Sequence, residues 1–127
     1  MSLYVQVLLA YKEEIKNSVY SEVFDSELYD DLLTVEKKIT ELYQERLISD
    51  YDLIIINCVA SNKSFRLLEK KYKISRLKLS TDFKNICAKI AFYLDSSFSD
   101  EGYMKKLKQK YHLTDEQVLK LFRRDKR

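Results

Sequence analysis

A chain of 127 residues with one glycine, no proline, 46% apolar and 34% charged side chains describes one small helical domain, or two very small ones. The shortage of Gly and Pro removes the material of hairpin turns, phosphate-cradling loops and flexible linkers, and with Gly102 as the sole glycine a nucleotide enzyme built on a Gly-rich loop is excluded. The net charge of +3 hides a dipole: residues 1 to 52 carry 5 Lys+Arg and 12 Asp+Glu, net −7, while residues 53 to 127 carry 18 and 8, net +10, which invites a basic partner at one end and a polyanion at the other.

Residues 3 to 17 read as a short amphipathic helix ending in Lys12, Glu13, Glu14 and Lys16. Its apolar run, residues 4 to 10, is too short to span a bilayer and has no basic leader or small-residue cleavage site. That points to a cytoplasmic protein. An acidic connector follows from about Ser18 to Asp31, and then Leu32, Val35, Ile39 and Leu42 recur at spacings of 3, 4 and 3. This is the seam of an amphipathic helix or short coiled coil, which packs either on its own domain or on a second copy as a homodimer. Residues 1–48 thus form an acidic helical region for packing or dimerisation.

The stretch 53–59 carries two readings. Its β-branched residues Ile54, Ile55, Ile56 and Val59 suit a buried strand. No second strand offers itself as a partner, and Ser49 followed by Asp52 matches a helix-capping pattern, so a buried helix is predicted. Ser64 is the expected cap of a short helix through Tyr72 with Phe65, Leu68 and Tyr72 inward. Ile74 and Ser75 interrupt it, and Ser75 caps a second helix in which Leu79, Phe83, Ile86, Cys87, Ile90 and Leu94 share one face. The opposite face carries Arg76, Leu77, Ser80, Thr81 and Lys84.

A short helix, a tight turn with an apolar residue, and a helix that opens with a small polar cap and exposes Arg, Ser, Thr and Lys follow the grammar of a helix-turn-helix. Its chemistry needs that order, because the second helix puts its first residues at base edges in the major groove while the first helix crosses the backbone. Residues 47 to 94 resemble the helix-turn-helix of sigma factor region 4 and of sigma-like regulators from bacteria and their phages, with Leu68, Tyr72, Ile74, Ser75 and Leu79 at the matching core and turn positions. Two positions depart from that pattern: Glu69 stands where a small residue packs between the helices, and Lys73 stands where the turn has a glycine.

The pattern recurs 39 residues later, where Leu107, Tyr111, Leu113, Thr114, Val118 and Phe122 mirror Leu68, Tyr72, Ile74, Ser75, Leu79 and Phe83. Thr114 and Gln117 make a capping box. The second helix of this unit opens Asp115-Glu116, which phosphates repel, and turns basic only at Arg123, Arg124, Lys126 and Arg127, so it suits packing or protein contact.

Catalytic and metal chemistry find little to work with. Cys58 and Cys87 lack CxxC pairing and read as buried free thiols, and His112 is the sole histidine. Asp30-Asp31 and Asp100-Glu101 suit helix starts better than a paired-carboxylate site. Tyr43, Tyr72, Tyr93 and Tyr111 read as boundary core residues with wet hydroxyls. No enzyme, cofactor or metal is expected.

The sequence therefore predicts an all-α protein divided as residues 1–48, a helix-turn-helix region 49–95, and a C-terminal helical unit 96–127 with a basic tail and a second helix-turn-helix-like shape. Its expected partner is double-stranded DNA, with Arg76, Leu77, Ser80 and Thr81 at base edges and Lys63, Arg66, Lys70, Lys73, Lys78 and Lys84 near phosphates. The resemblance implies a transcription regulator of phage or mobile-element origin, or else a module that binds RNA polymerase or a sigma factor. A DNA-packaging adaptor is a further reading.

Overall fold

The computed structural model describes residues 2–21, 25–111 and 114. Among them are seven α-helices, two 3₁₀ turns and no strand: α1 Leu3–Ala10, α2 Lys12–Asn17, a turn at Ser18–Tyr20, α3 Ser26–Gln44, α4 Asp50–Ala60, α5 Arg66–Tyr72, α6 Arg76–Phe92, a turn at Ser96–Phe98, and α7 Asp100–Tyr111. Of these helices, none is long and apolar enough to cross a membrane.

The apolar run near the start is the middle of the fold. Helix α1 buries Tyr4, Val5, Leu8 and Leu9 and packs against α3, α4, α6 and α7, a position that only a short helix apolar on most of its circumference can fill. The expected single helix over residues 3–17 is instead broken at Tyr11. The break lets α2 turn so that Ile15 is buried while Lys12 and Lys16 reach Glu36 on α3 at 2.9 and 3.0 Å.

The acidic connector is shorter than expected, because Asp25 caps α3 by accepting from the Leu28 N–H, and the helix begins at Ser26. Asp30 and Asp31 consequently lie beyond the first turn and do not serve its dipole. Asp31 instead accepts from the Tyr4 hydroxyl and from Lys106 of α7. Of the two readings of the seam, packing on the chain's own domain is the one seen. Leu32, Val35, Ile39 and Leu42 are all buried in the chain's own core, where their apolar surface is already removed from water.

Helix α4 settles the conflict at residues 53–59. Ser49 and Asp52 form a reciprocal capping box, each side chain bonded to the other residue's N–H at 3.1 Å, and Ile55, Ile56 and Ala60 are buried. Residues from all three sequence regions enter one apolar cluster, with Val5 and Leu8 from α1, Val35 from α3, Ile55 from α4, Leu79 and Ile90 from α6, and Phe98 from the second 3₁₀ turn.

Helix α7 is fastened to this core at several points. The Leu3 N–H donates to Asp100 at 2.8 Å, so Asp100 serves α1 as well as the first turn of its own helix. Lys106 bonds Asp31 at 2.6 Å and Glu27 at 3.2 Å and lies over the Tyr4 ring. Burial works against the Lys106 charge, but the two carboxylates outweigh it and hold its pKa above the ordinary value. Gly102 has a local reason to be glycine: an added Cβ would meet the Ser96 and Ser97 carbonyl oxygens at 2.5 and 2.7 Å.

Candidate nucleic-acid interface

The connection between α5 and α6 starts from what its residues can do locally. Ser64 is not the cap of α5; Phe65 occupies that position and no side chain caps the helix. Helix α5 has no buried residue, although Phe65 and Leu68 pack on the edge of the core, and the expected inward Tyr72 is exposed. At its end Lys73 adopts the left-handed conformation, φ 54° and ψ 41°. This is the backbone state a glycine would take freely, and a side chain there costs about 1–2 kcal/mol. Half-buried Ile74 packs on the core, and Ser75 is extended with its hydroxyl accepting from the Lys78 N–H at 3.2 Å. The cap residue is as expected.

Glu69 reaches across this turn. Its carboxylate accepts from Arg76 Nε at 2.9 Å, so the residue that departs from the small-residue pattern ties α5 to the first residue of α6.

Helix α6 divides into faces. Leu79, Phe83, Ile86, Cys87 and Ile90 are buried, whereas Leu94 lies just past the helix end and is half-buried. Burial pushes the Cys87 thiol up, which keeps it protonated; Cys58 is only half-buried. Leu77 and Thr81 stand on the outer face, with Leu77 79% exposed. At about 100° per residue, Lys84 and Lys78 lie about 60° to either side of Thr81. Phe92, 80% exposed, continues the same face toward the C-terminal end of the helix.

The two flanks differ. On one, Ser80 and Lys84 line a cleft of about 370 Å³ with Gln6, Ala10 and Tyr11 of the N-terminal helices and with Asn62. Ser80 is therefore turned toward α1 and is half-buried, apart from the outward Leu77 and Thr81. On the other flank Lys78 pairs with Asp82 at 2.8 Å, and Asp82 also accepts from the Tyr51 hydroxyl at 2.7 Å. Lys78 holds the Asp82 carboxyl below its ordinary range, while burial and the bond to Asp82 push the Tyr51 hydroxyl up to about 12.

Lys63, Arg66, Lys70 and Lys73 are all exposed, on α5 and the turns at its two ends. The neighbouring residue Asn62, also left-handed at φ 56°, donates to Glu13 and Glu14 at 3.4 and 3.1 Å and so brings acidic groups to the edge of the basic surface. The roles of Asn62, Glu69 and Tyr51 were not anticipated. Asn62 had a weak local signal as an αL-tolerant residue after a helix, and Asp82 had its i,i+4 spacing from Lys78. Tyr51 had none, since its partner is 31 residues away.

His112 and the repeat-like unit, including the Thr114–Gln117 box and the basic tail, lie outside the described residues apart from Thr114. Among those described, no group of three or more His, Cys, Asp or Glu side chains is placed to hold a metal ion. Comparison with known proteins gave no match to a family model, a curated protein or a solved structure.

Proposed function

We propose that the chain is a sequence-specific regulator of transcription that binds double-stranded DNA and reads its major groove with α6, acting in the cytoplasm of a bacterial host and encoded by a phage or mobile element. One observation carries this reading: the outer face of α6 presents Leu77 and Thr81 with a lysine on each flank, at the start of a helix entered through a left-handed turn and a serine cap. In that reading Leu77 and Thr81 face base edges from the outer face, with Leu77 suited to a thymine methyl; Arg76, about 140° from Thr81 around the axis, reaches a base edge by its length from the exposed start of the helix, while Ser80 lies on the flank toward α1. Lys63, Arg66, Lys70, Lys73, Lys78 and Lys84 neutralise phosphates.

A second reading is favoured by the apolar part of the same face. Leu77 and Phe92 are both about four-fifths exposed, and such residues suit a protein partner such as RNA polymerase or a sigma factor. Binding of labelled duplex DNA across a salt series separates the two. Under the DNA reading Arg76→Ala with Lys84→Ala abolishes duplex binding; under the second, wild type binds no duplex and retains polymerase in a pull-down that this double variant leaves intact. A log-log salt slope near zero overturns the DNA reading.

A further inference from the structure

Arg76 is the first residue of α6, and Glu69 on α5 accepts from its Nε at 2.9 Å. The side chain of Arg76 is 65% exposed beyond that bond, and that of Glu69 is 32% exposed. Of the five N–H donors of a guanidinium, the Nε–H is the one nearest the stem, and an acceptor there leaves the N–H groups of the two terminal nitrogens for another partner. A bidentate contact with guanine O6 and N7 needs a guanidinium held in one plane at one depth. An arginine at a helix start carries considerable rotamer freedom, and a carboxylate anchored on a second helix removes much of it before DNA arrives.

We propose that Glu69 is a specificity-positioning residue, fixing Arg76 so that its terminal nitrogens read a guanine at one base position. This rests on the reading of α6 as the groove-entering helix. The carboxylate also has an electrostatic consequence of the opposite sign, because a negative charge beside the phosphates weakens binding to every duplex equally. Positioning and charge therefore predict opposite changes on the same substitution, and a loss of folding predicts neither.

The test is selection of bound sequences from a random duplex library at fixed salt, followed by titration of a preferred duplex and its single-base variants. The proteins are wild type, Arg76→Ala, Glu69→Ala, which removes the acceptor as well as the charge, and the double variant, with circular dichroism confirming retained helix content. Arg76→Ala is expected to lower the guanine preference at one position by about 5- to 150-fold. Glu69→Ala is expected to lower it at that same position by about fivefold or more while tightening binding to unrelated duplexes, and the double variant to lose no more than Arg76→Ala alone. An unchanged or raised guanine preference in Glu69→Ala, or losses that add in full, overturns the inference. If wild type binds duplex DNA without a guanine preference that Arg76→Ala removes, this inference fails and the DNA reading stands. If wild type binds no duplex, both fail.

Discussion

Replacing Lys78 and Lys84 by Gln, singly and together, tests whether α6 lies in a major groove. The two lysines are six residues apart, about 9 Å along the helix axis, and leave it about 120° apart. On a helix about 11 Å across, this places the charges roughly 13 Å from each other, close to the groove width of about 12 Å. Each phosphate neutralised contributes about 0.9 to the salt slope, hence about eightfold in affinity at about 0.1 M salt, or about 1.2 kcal/mol. Lys78 must first leave Asp82, an i,i+4 pair worth about 0.3–0.5 kcal/mol, so Lys78→Gln is expected to cost about fourfold and Lys84→Gln the full eightfold or so. Asp82→Asn removes that competition and tightens binding about twofold. Fluorescence anisotropy of a labelled duplex over about 0.05–0.25 M salt reads the slope, which should move from about −5.4 with six contacts to about −4.5 in each single variant and about −3.6 in the double. Lys38→Gln on α3, whose native partner is Glu41, serves as control and should leave the slope unchanged. A double variant that keeps the wild-type slope, or a control that loses as much, refutes the two-flank geometry.

Three predictions concern the scaffold. Leu32→Ala is expected to destabilise the protein by about 2–5 kcal/mol in urea unfolding, with an unchanged sedimentation coefficient at native conditions, because Leu32 is buried within its own chain. Gly102→Ala should lower the thermal midpoint even though alanine is the better helix former by about 1 kcal/mol, since its Cβ would press on two backbone oxygens and overpacking costs about 1–3 kcal/mol; a raised midpoint would contradict the close packing of α7 on the Ser96–Phe98 turn. Burial opposes the charge of Glu36, yet Lys12 and Lys16 outweigh it and hold the carboxyl below its ordinary value. A depressed folded-state pKa contributes stability that is present above the unfolded value of about 4.3 and is lost as pH falls through the folded value. Glu36→Gln should thus be less stable by roughly 0.5–1 kcal/mol near neutral pH, with the two urea-unfolding curves converging as pH falls through the folded value.

Where a residue's local partners lie within a turn of it, the sequence was a sufficient guide. The Ser49–Asp52 box and the Ser75 cap each use a bond spanning three residues, and both helices begin where those bonds require. The face of α6 that is buried followed from its period alone. Ser64 failed as a cap although its residue type suits one, because Phe65 at the helix start packs on the core and sets where α5 begins. Periodicity likewise marked Leu32, Val35, Ile39 and Leu42 as an apolar seam but carried no information on what covers it, since a neighbouring helix and a second subunit bury the same surface.

The amino-acid sequence by itself determined that the chain is all helical, that it has one basic and one acidic part, and that α6 has an apolar face opposite a Leu-, Thr- and Lys-bearing one. Those properties come from composition, capping and period, which act over a few residues. Only the tertiary structure decided that α1 lies at the centre, that α3 serves this core, and that Ser80 faces α1 while Lys78 is drawn to Asp82. It alone set Glu69 against Arg76 across a turn in which Lys73 accepts the left-handed state. Such pairings depend on how helices cross, and crossing is fixed by the sum of many buried contacts far apart in sequence, which no local pattern encodes.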